Sequence, residues 1–239
     1  MIEISGVSKT YGGRVKAVDD ISFVVEPECI YGFLGPNGAG KTTTIKLIAG
    51  IIRPDNGTIR VDGRDMATDA LKAKMDIGFV PDDPNVFLRL KGIEYLKFMA
   101  DIYDVSQKQR KDEIETLARR FDMEKALGDK IQSYSHGMRQ KIVIMGALMH
   151  RPKVWILDEP MTGLDPKSAF ELKSMMREHA DAGNTVFFST HVLEVAEKVC
   201  DQVAVISAGR ILYAGSMAGL KKNSDASLEK MFLEMTDHA

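Results

Sequence analysis

The sequence predicts an α/β fold: a parallel sheet, an N-terminal antiparallel β subdomain and an inserted α-helical subdomain. Three observations lead there. Short runs such as Ile30–Leu34 and Val154–Leu157 are continuously apolar, as parallel strands covered on both faces should be. Helical patterns lie between such runs, and strand followed by helix, repeated, implies an α/β sheet. From about Asp83 to Arg151 there are helical stretches and no convincing strand.

Taken in chain order, strands are expected at Ile21–Val25, Ile30–Leu34, Thr58–Val61, Ile77–Val80, Val154–Leu157, Thr185–Ser189 and Val203–Ser207. The turn signals Tyr11-Gly12-Gly13 and Asp55-Asn56-Gly57 accompany the early ones, which favours antiparallel pairing there. Helices are expected at Lys41–Gly50, Ile93–Tyr103, Lys108–Phe121, Gly137–His150 and Lys167–Ala182. The chain of 239 residues is read as one domain over 1–220, with 83–151 as the inserted helical subdomain. A polar break at Lys221–Asp225 precedes a short helical pattern ending Leu233-Glu234-Met235, so 221–239 reads as a short C-terminal helical tail.

Composition removes several classes. Lys plus Arg number 32 and Asp plus Glu 34, a formal net charge of −2, so nothing in the balance calls for nucleic acid as a partner. The apolar fraction of 44% suffices for a sizeable core. The longest apolar stretch, Ile142–Met149, is far short of the roughly 20 residues that cross a bilayer. Met1 leads directly into Ile2-Glu3-Ile4 with no basic or apolar leader pattern, so a cytoplasmic location is expected. The two cysteines, Cys29 and Cys200, stand at no metal-ligand or redox spacing and read as core thiols.

The chemistry begins after Ile30–Leu34. Gly35-Pro36-Asn37-Gly38-Ala39-Gly40-Lys41-Thr42 matches G-x-x-x-x-G-K-[ST] at each position, and Thr43 continues into the helix. Glycines let the backbone curl so that successive N–H groups face inward, and the following helix turns its positive end to the same place. Lys41 would add a point charge on the terminal phosphates, and the Thr42 hydroxyl a ligand to Mg²⁺. The bare pattern arises by chance in roughly one chain in a hundred of this length, and the flanking strand and helix make chance rarer. This is the signature of a P-loop NTPase core that binds nucleotide.

Far downstream the apolar run Val154–Leu157 ends in Asp158-Glu159-Pro160. In a parallel sheet the loops at the carboxyl ends of the strands share one crevice, so Asp158 can face the ion held by Thr42. Glu159 is then placed to take a proton from a water attacking the γ-phosphate, a general-base role worth about 10² to 10⁴ in rate.

With these residues in view, the chain resembles the ATP-binding cassette of ABC transporters over nearly its whole length. The segment most diagnostic of that likeness is Tyr134-Ser135-His136-Gly137-Met138-Arg139-Gln140-Lys141, similar to the family signature LSGGQ. Read as residues, Ser135 is a good helix N-cap, whose hydroxyl and the exposed N–H groups either satisfy each other or meet an anion. The resemblance implies that Ser135, His136, Gly137 and Met138 face the γ-phosphate held by a second ATP-binding subunit, giving two composite sites. It further implies adenine stacking by Tyr11, a dimer contact at Asp165 within Gly163-Leu164-Asp165-Pro166, and a γ-phosphate switch at His191.

Two departures from the family pattern stand out. Asp82, after Ile77-Gly78-Phe79-Val80-Pro81, occupies the position of a magnesium-touching glutamine; it either reaches the metal through water or sits on the surface, and an acidic residue there resembles the exporter branch. His136 and Met138 replace a glycine and a glutamine, leaving Ser135 and Gly137 intact. The reading is an ATPase subunit of a bacterial, exporter-type ABC transporter, using ATP and Mg²⁺. It would dimerise with a second cassette and sit peripherally at the inner face of the membrane against a transmembrane permease. The segment from Asp83 to about Tyr103, with Phe87, Leu88, Leu90 and Tyr95, is either the docking surface or lobe core. The alternative is a soluble cassette ATPase acting on metal-cluster assembly or the ribosome.

Overall fold

A computed structural model of the chain describes residues 1–222; the helical pattern expected around Leu233–Met235 lies outside them. Two sheets form the centre. A four-stranded antiparallel sheet, in the order β2-β1-β4-β5, is built from β1 (Ile2–Tyr11), β2 (Val15–Val25), β4 (Asn56–Val61) and β5 (Arg64–Asp65). A six-stranded sheet runs β10-β9-β3-β8-β7-β6, from β3 (Cys29–Leu34), β6 (Ile77–Val80), β7 (Val154–Leu157), β8 (Thr185–Thr190), β9 (Gln202–Ser207) and β10 (Arg210–Ser216).

The pairs β9·β3, β3·β8, β8·β7 and β7·β6 are parallel, whereas β10 closes the edge antiparallel to β9. That antiparallel edge is absent from the sequence reading, because Arg210–Ser216 alternates between exposed and half-buried positions and never presents a continuous apolar run. β1 is the larger omission. It lies inside the first sheet, pairing antiparallel with β2 on one side and β4 on the other, so the antiparallel pairing expected of the early strands runs through a strand the sequence reading lacks. Its broken pattern, IEISGVSKTY, carries register shifts around Ile4, Val7 and Lys9 that blur the alternation.

The main sheet is buried on both faces because its strands alternate between two cores. On β3, Ile30 and Leu34 join Trp155 and Leu157 of β7 and Val186 and Phe188 of β8 on one face. Tyr31 and Phe33 join Ile156 and Phe187 on the other, where Phe23 stacks on Tyr31 at a ring separation of 5.7 Å. The second face packs against the antiparallel sheet and α1 (Lys41–Ile48). Both cysteines are buried as free thiols.

Between β6 and β7 the chain is helical: α3 (Gly92–Ile102), α4 (Gln107–Arg120), a 3₁₀ turn at Ile131–Ser133 and α5 (His136–Leu148). Helices α2 (Ala70–Met75), α6 (Pro166–Asp181), α7 (Leu193–Val199) and α8 (Met217–Lys222) complete the described chain. Three of these, α2, α7 and α8, have six or seven residues, too short to give a readable period. Of the residues read as either docking surface or lobe core, Tyr95 is 3% exposed and belongs to the core. Its aromatic partner Phe87 stays on the surface and meets Phe98, likewise exposed, with the rings tilted at 57° and 5.3 Å apart.

Candidate functional site

Register brings the site together. Leu34, the last residue of β3, pairs with Thr190 on β8, and Leu157, the last of β7, pairs with Phe188. The loops that follow, Gly35–Gly40, His191 and Asp158-Glu159, therefore emerge side by side at the carboxyl edge of the sheet. They border a cleft lined by Asn37, Gly38, Gly40, Lys41, Thr42, Thr43, Asp82, Glu159 and Ala17 of β2.

The loop is shaped by close approach. Gly40 has φ +109°, and a Cβ there would collide with the carbonyl oxygen of Ala17, so only glycine lets the loop lie against β2. Gly35 and Ala39 are buried, Pro36 and Gly40 half-buried, and Asn37 and Gly38 exposed. Helix α1 begins at Lys41 without a side-chain cap, which leaves the positive end of the helix directed at the cleft. Lys41 is itself buried. Its Nζ donates to the carbonyl oxygens of Gly35 at 2.8 Å and Pro36 at 3.2 Å, and lies 3.6 Å from Glu159 Oε1.

The paired carboxylates are held differently. Asp158 is 1% exposed. Its Oδ1 accepts from Ser189 Oγ at 2.6 Å, and the Thr42 hydroxyl hydrogen-bonds the same carboxylate. Burial raises the Asp158 pKa above the ordinary aspartate value, and the Ser189 and Thr42 hydrogen bonds oppose that rise. Glu159 has the left-handed φ of +46°, a strained setting for a residue with a side chain, and its N–H donates to Ser189 Oγ at 3.0 Å. Ser189 thus ties the Asp158 carboxylate and the Glu159 backbone together with one hydroxyl. His191 Nδ1 lies 3.0 Å from Glu159 Oε2, and Glu159 Oε1 is buried with no hydrogen-bond partner among the described residues.

These residues fit MgATP by donor chemistry. Among the described residues no group of three or more His, Cys, Asp or Glu could hold a metal on its own. Thr42, Asp158 and the neighbouring Asp82 offer a hydroxyl and two carboxylates, a set that suits Mg²⁺ carrying waters and phosphate oxygens of its own. Asp82 is exposed on the cleft, near enough for its charge to bear on Asp158.

The other sequence-predicted residues lie apart from the cleft. Ser135 and His136 are exposed at the start of α5, and no hydrogen bond or ion pair joins them to the cleft residues. Ser135 Oγ accepts from Met138 N at 3.3 Å, a helix cap. Gly137 touches the Gly163 loop so closely that a Cβ would sit 2.6 Å from the Gly163 carbonyl oxygen. Asp165 caps α6 through Ser168 N at 2.9 Å and pairs with Lys141 of α5 at 3.1 Å. Tyr11 is 43% exposed at the tip of the β1–β2 hairpin, whose second strand supplies Ala17 to the cleft.

Sequence reasoning missed Ser189. The signal was a serine, 0% exposed, in the otherwise apolar strand TVFFST: a hydroxyl in such a place must hydrogen-bond something, and the strand end points to the carboxylates.

Comparison with known proteins matches residues 18–162 to the family model described as ABC transporter. The chain is 34% identical over 226 residues to the ABC-type transporter ATP-binding protein EcsA of Bacillus subtilis (strain 168), covering 93% of this chain and 92% of that one. It is 35% identical over 232 residues to the daunorubicin/doxorubicin resistance ATP-binding protein DrrA of Streptomyces peucetius, covering 97% and 70%. A solved structure of an ATP binding subunit of an ABC transporter superposes with a TM-score of 0.93 at 30% identity, over 98% of this chain and 99% of the other.

Proposed function

Since the chain belongs to the ABC transporter family, as an ATP-binding subunit and an ATPase, we propose that it powers export through a separate membrane subunit by closing, with a second ATP-binding subunit, over MgATP. The observation that carries this reading is the convergence of Lys41, Thr42, Asp158, Glu159 and His191 on one cleft, with the Ser135 end of α5 exposed elsewhere on the same chain. A nucleotide in the cleft has donors from the loop on one side only. The matching donors from a helix N-terminus must come from a neighbour: Ser135 and the N–H groups of His136 and Gly137, at the exposed start of α5, would supply them.

In this reading Tyr11 stacks on the adenine, and Gly35–Thr43 wrap the phosphates. Lys41 turns from the Gly35 and Pro36 carbonyls to the terminal phosphate. Thr42, Asp158 and Asp82 hold Mg²⁺, which supplies charge neutralisation on the phosphate oxygens. Glu159 accepts the proton of the attacking water, and His191 holds Glu159 in position while touching the γ-phosphate. Closure is favoured only while that phosphate is present, so hydrolysis reopens the pair. Residues 1–220 act as one domain, and 83–151 form its helical subdomain.

No helix among the described residues is long and apolar enough to cross a membrane, so transport needs a partner that does. The exposed pair Phe87 and Phe98, with Ile102 on the same helix, is the docking surface for that permease, which holds the chain at the inner face of the membrane. The resistance function in the name of the relative DrrA supports export as the direction.

The test is purification of the tagged chain from detergent-solubilised membranes. The expected result is a polytopic membrane subunit in stoichiometric amount, lost in the double variant Phe87→Ser, Phe98→Ser while ATP hydrolysis is retained. Recovery of only a soluble metal-cluster or ribosomal partner would replace export with the soluble-ATPase reading.

A further inference from the structure

Where the C-terminal end of α1 meets β4 and α2, a cavity of about 310 Å³ opens. Among the described residues its lining shares none with the nucleotide cleft, which lies at the other end of α1. The room comes from Gly50, which follows α1 with φ +65°: a Cβ there would lie 2.5 Å from the Met66 methyl carbon and 2.8 Å from Lys74 Cε. Lys74 Nζ is 3.5 Å from the same point, so the ammonium and the thioether end both stand at the Gly50 wall of the cavity.

The lining combines two chemistries. Ile52, Pro54 and Met66 are half-buried, so each keeps apolar surface open to the cavity. Arg53 and Lys74 line it too, both exposed, and neither makes a side-chain hydrogen bond or ion pair among the described residues.

The nearby carboxylates are committed elsewhere. Asp55, two residues from Arg53, pairs with Lys9 and accepts from Thr10 N, and Asp76, two residues from Lys74, pairs with Arg64. Nor is Lys74 needed to finish α1, whose Leu47 and Lys46 carbonyl oxygens accept from the N–H groups of Gly50 and Ile51. The one carboxylate lining the cavity among the described residues is Asp65, whose Oδ1 accepts from Ala67 N at 2.7 Å. That leaves one net positive charge.

An exposed cation alone is simply hydrated, but cations standing over apolar surface in a concave site suit a ligand that carries both chemistries. A monoanion balances the net charge, whereas a dianion would be left facing Asp65. The volume is at the lower end of the roughly 300–1,000 Å³ common for ligand pockets, which limits the occupant to a single ring or a short chain.

We propose that this cavity is a second small-molecule site, one that takes a monocarboxylate with a compact apolar body. The carboxylate meets Lys74 and Arg53, and the body lies on Ile52, Pro54 and Met66. Such a ligand touches the end of the helix whose start, Lys41, faces the nucleotide cleft.

The probe is 4-ethylbenzoate, titrated into the full chain labelled with ¹³C at the methionine methyls, with 4-ethylbenzyl alcohol as its uncharged counterpart. The Met66 methyl resonance is identified by its loss in Met66→Leu, and that of Met75, on α2 but outside the lining, serves as the control. The expected result is a saturable shift of the Met66 methyl with 4-ethylbenzoate, a smaller one at Met75, and weaker binding of the alcohol. Lys74→Gln and Arg53→Gln, both at exposed positions, should each weaken the carboxylate about two- to fivefold, the effect of losing a partly exposed ion pair. The double variant, with an otherwise native spectrum, should bind the carboxylate no better than the alcohol. A Met66 methyl unmoved up to the solubility of 4-ethylbenzoate would overturn the proposal. So would equal shifts at Met66 and Met75, equal affinity for acid and alcohol in the unsubstituted chain, or undiminished binding in the double variant.

Discussion

Two helix starts in this chain look alike in sequence and behave oppositely. At α1 a glycine precedes the helix, no side chain caps it, and Lys41 is folded back on carbonyl oxygens as though awaiting a better acceptor. At α5 Ser135 caps the helix itself, and the exposed end rests against the Gly163 loop of the same chain. The first end is wired into its own cleft through Glu159, Ser189 and His191. The second is closed by its own cap, Ser135 Oγ on Met138 N. In the proposed reading one half of the site is complete within a single chain while the other serves a neighbour, so losses in the two halves should differ in kind.

The largest effect is expected at the wired half. Glu159→Gln removes the base and keeps the shape, so turnover should fall about 10²- to 10⁴-fold with ATP affinity nearly unchanged, read by phosphate release and calorimetry. Wild-type turnover would break the assignment. Lys41→Ala should weaken ATP binding roughly ten- to hundredfold, the loss of a charged hydrogen bond, in a single chain without dimerisation. Tyr11→Ala comes next: losing one aromatic stack of about 0.5–1.5 kcal/mol should raise the dissociation constants for ATP and ADP alike by about two- to tenfold.

The smallest effect falls on the loop beside the second helix start. The Ser168 hydroxyl and N–H and the Lys141 ammonium hold the Asp165 carboxyl far below the usual aspartate range. A depressed carboxylate stabilises the fold above its unfolded pKa, and that contribution is lost as pH falls through the folded one. Asp165→Ala should cost about 0.5–2 kcal/mol at pH 7, nearer the lower figure because the side chain is half exposed, and less below pH 3. Thermal unfolding at the two pH values checks the sign.

Legibility follows the same division. Residues whose chemistry is local were readable: Gly35–Thr42 because a phosphate cradle needs that spacing, and Asp158-Glu159 because carboxylates ending an apolar strand have few other uses. The parallel strands of the main sheet were readable because burial on both faces makes them continuously apolar, and its antiparallel edge β10 was not. What failed depends on partners distant in sequence. β1 is half-buried and irregular, and only its neighbours β2 and β4 make it a strand. Ser189 matters because register sets it opposite the Glu159 N–H and the Asp158 carboxylate, 30 and 31 residues away. Docking surface and lobe core could not be told apart from sequence for Phe87 and Tyr95; helical spacing turns Tyr95 inward, where it meets Gly146 of α5, while Phe87 stays exposed.

The claim at the centre is that Ser135 of one chain completes the cleft of another. Sedimentation velocity of the Glu159→Gln chain with MgATP, with MgADP, and again after adding Ser135→Arg, tests it directly. The account predicts a dimer with ATP, a monomer with ADP, and a monomer that still binds ATP once the arginine is present. An ATP-loaded monomer at every concentration of the single variant, or a dimer that survives the arginine, would contradict it.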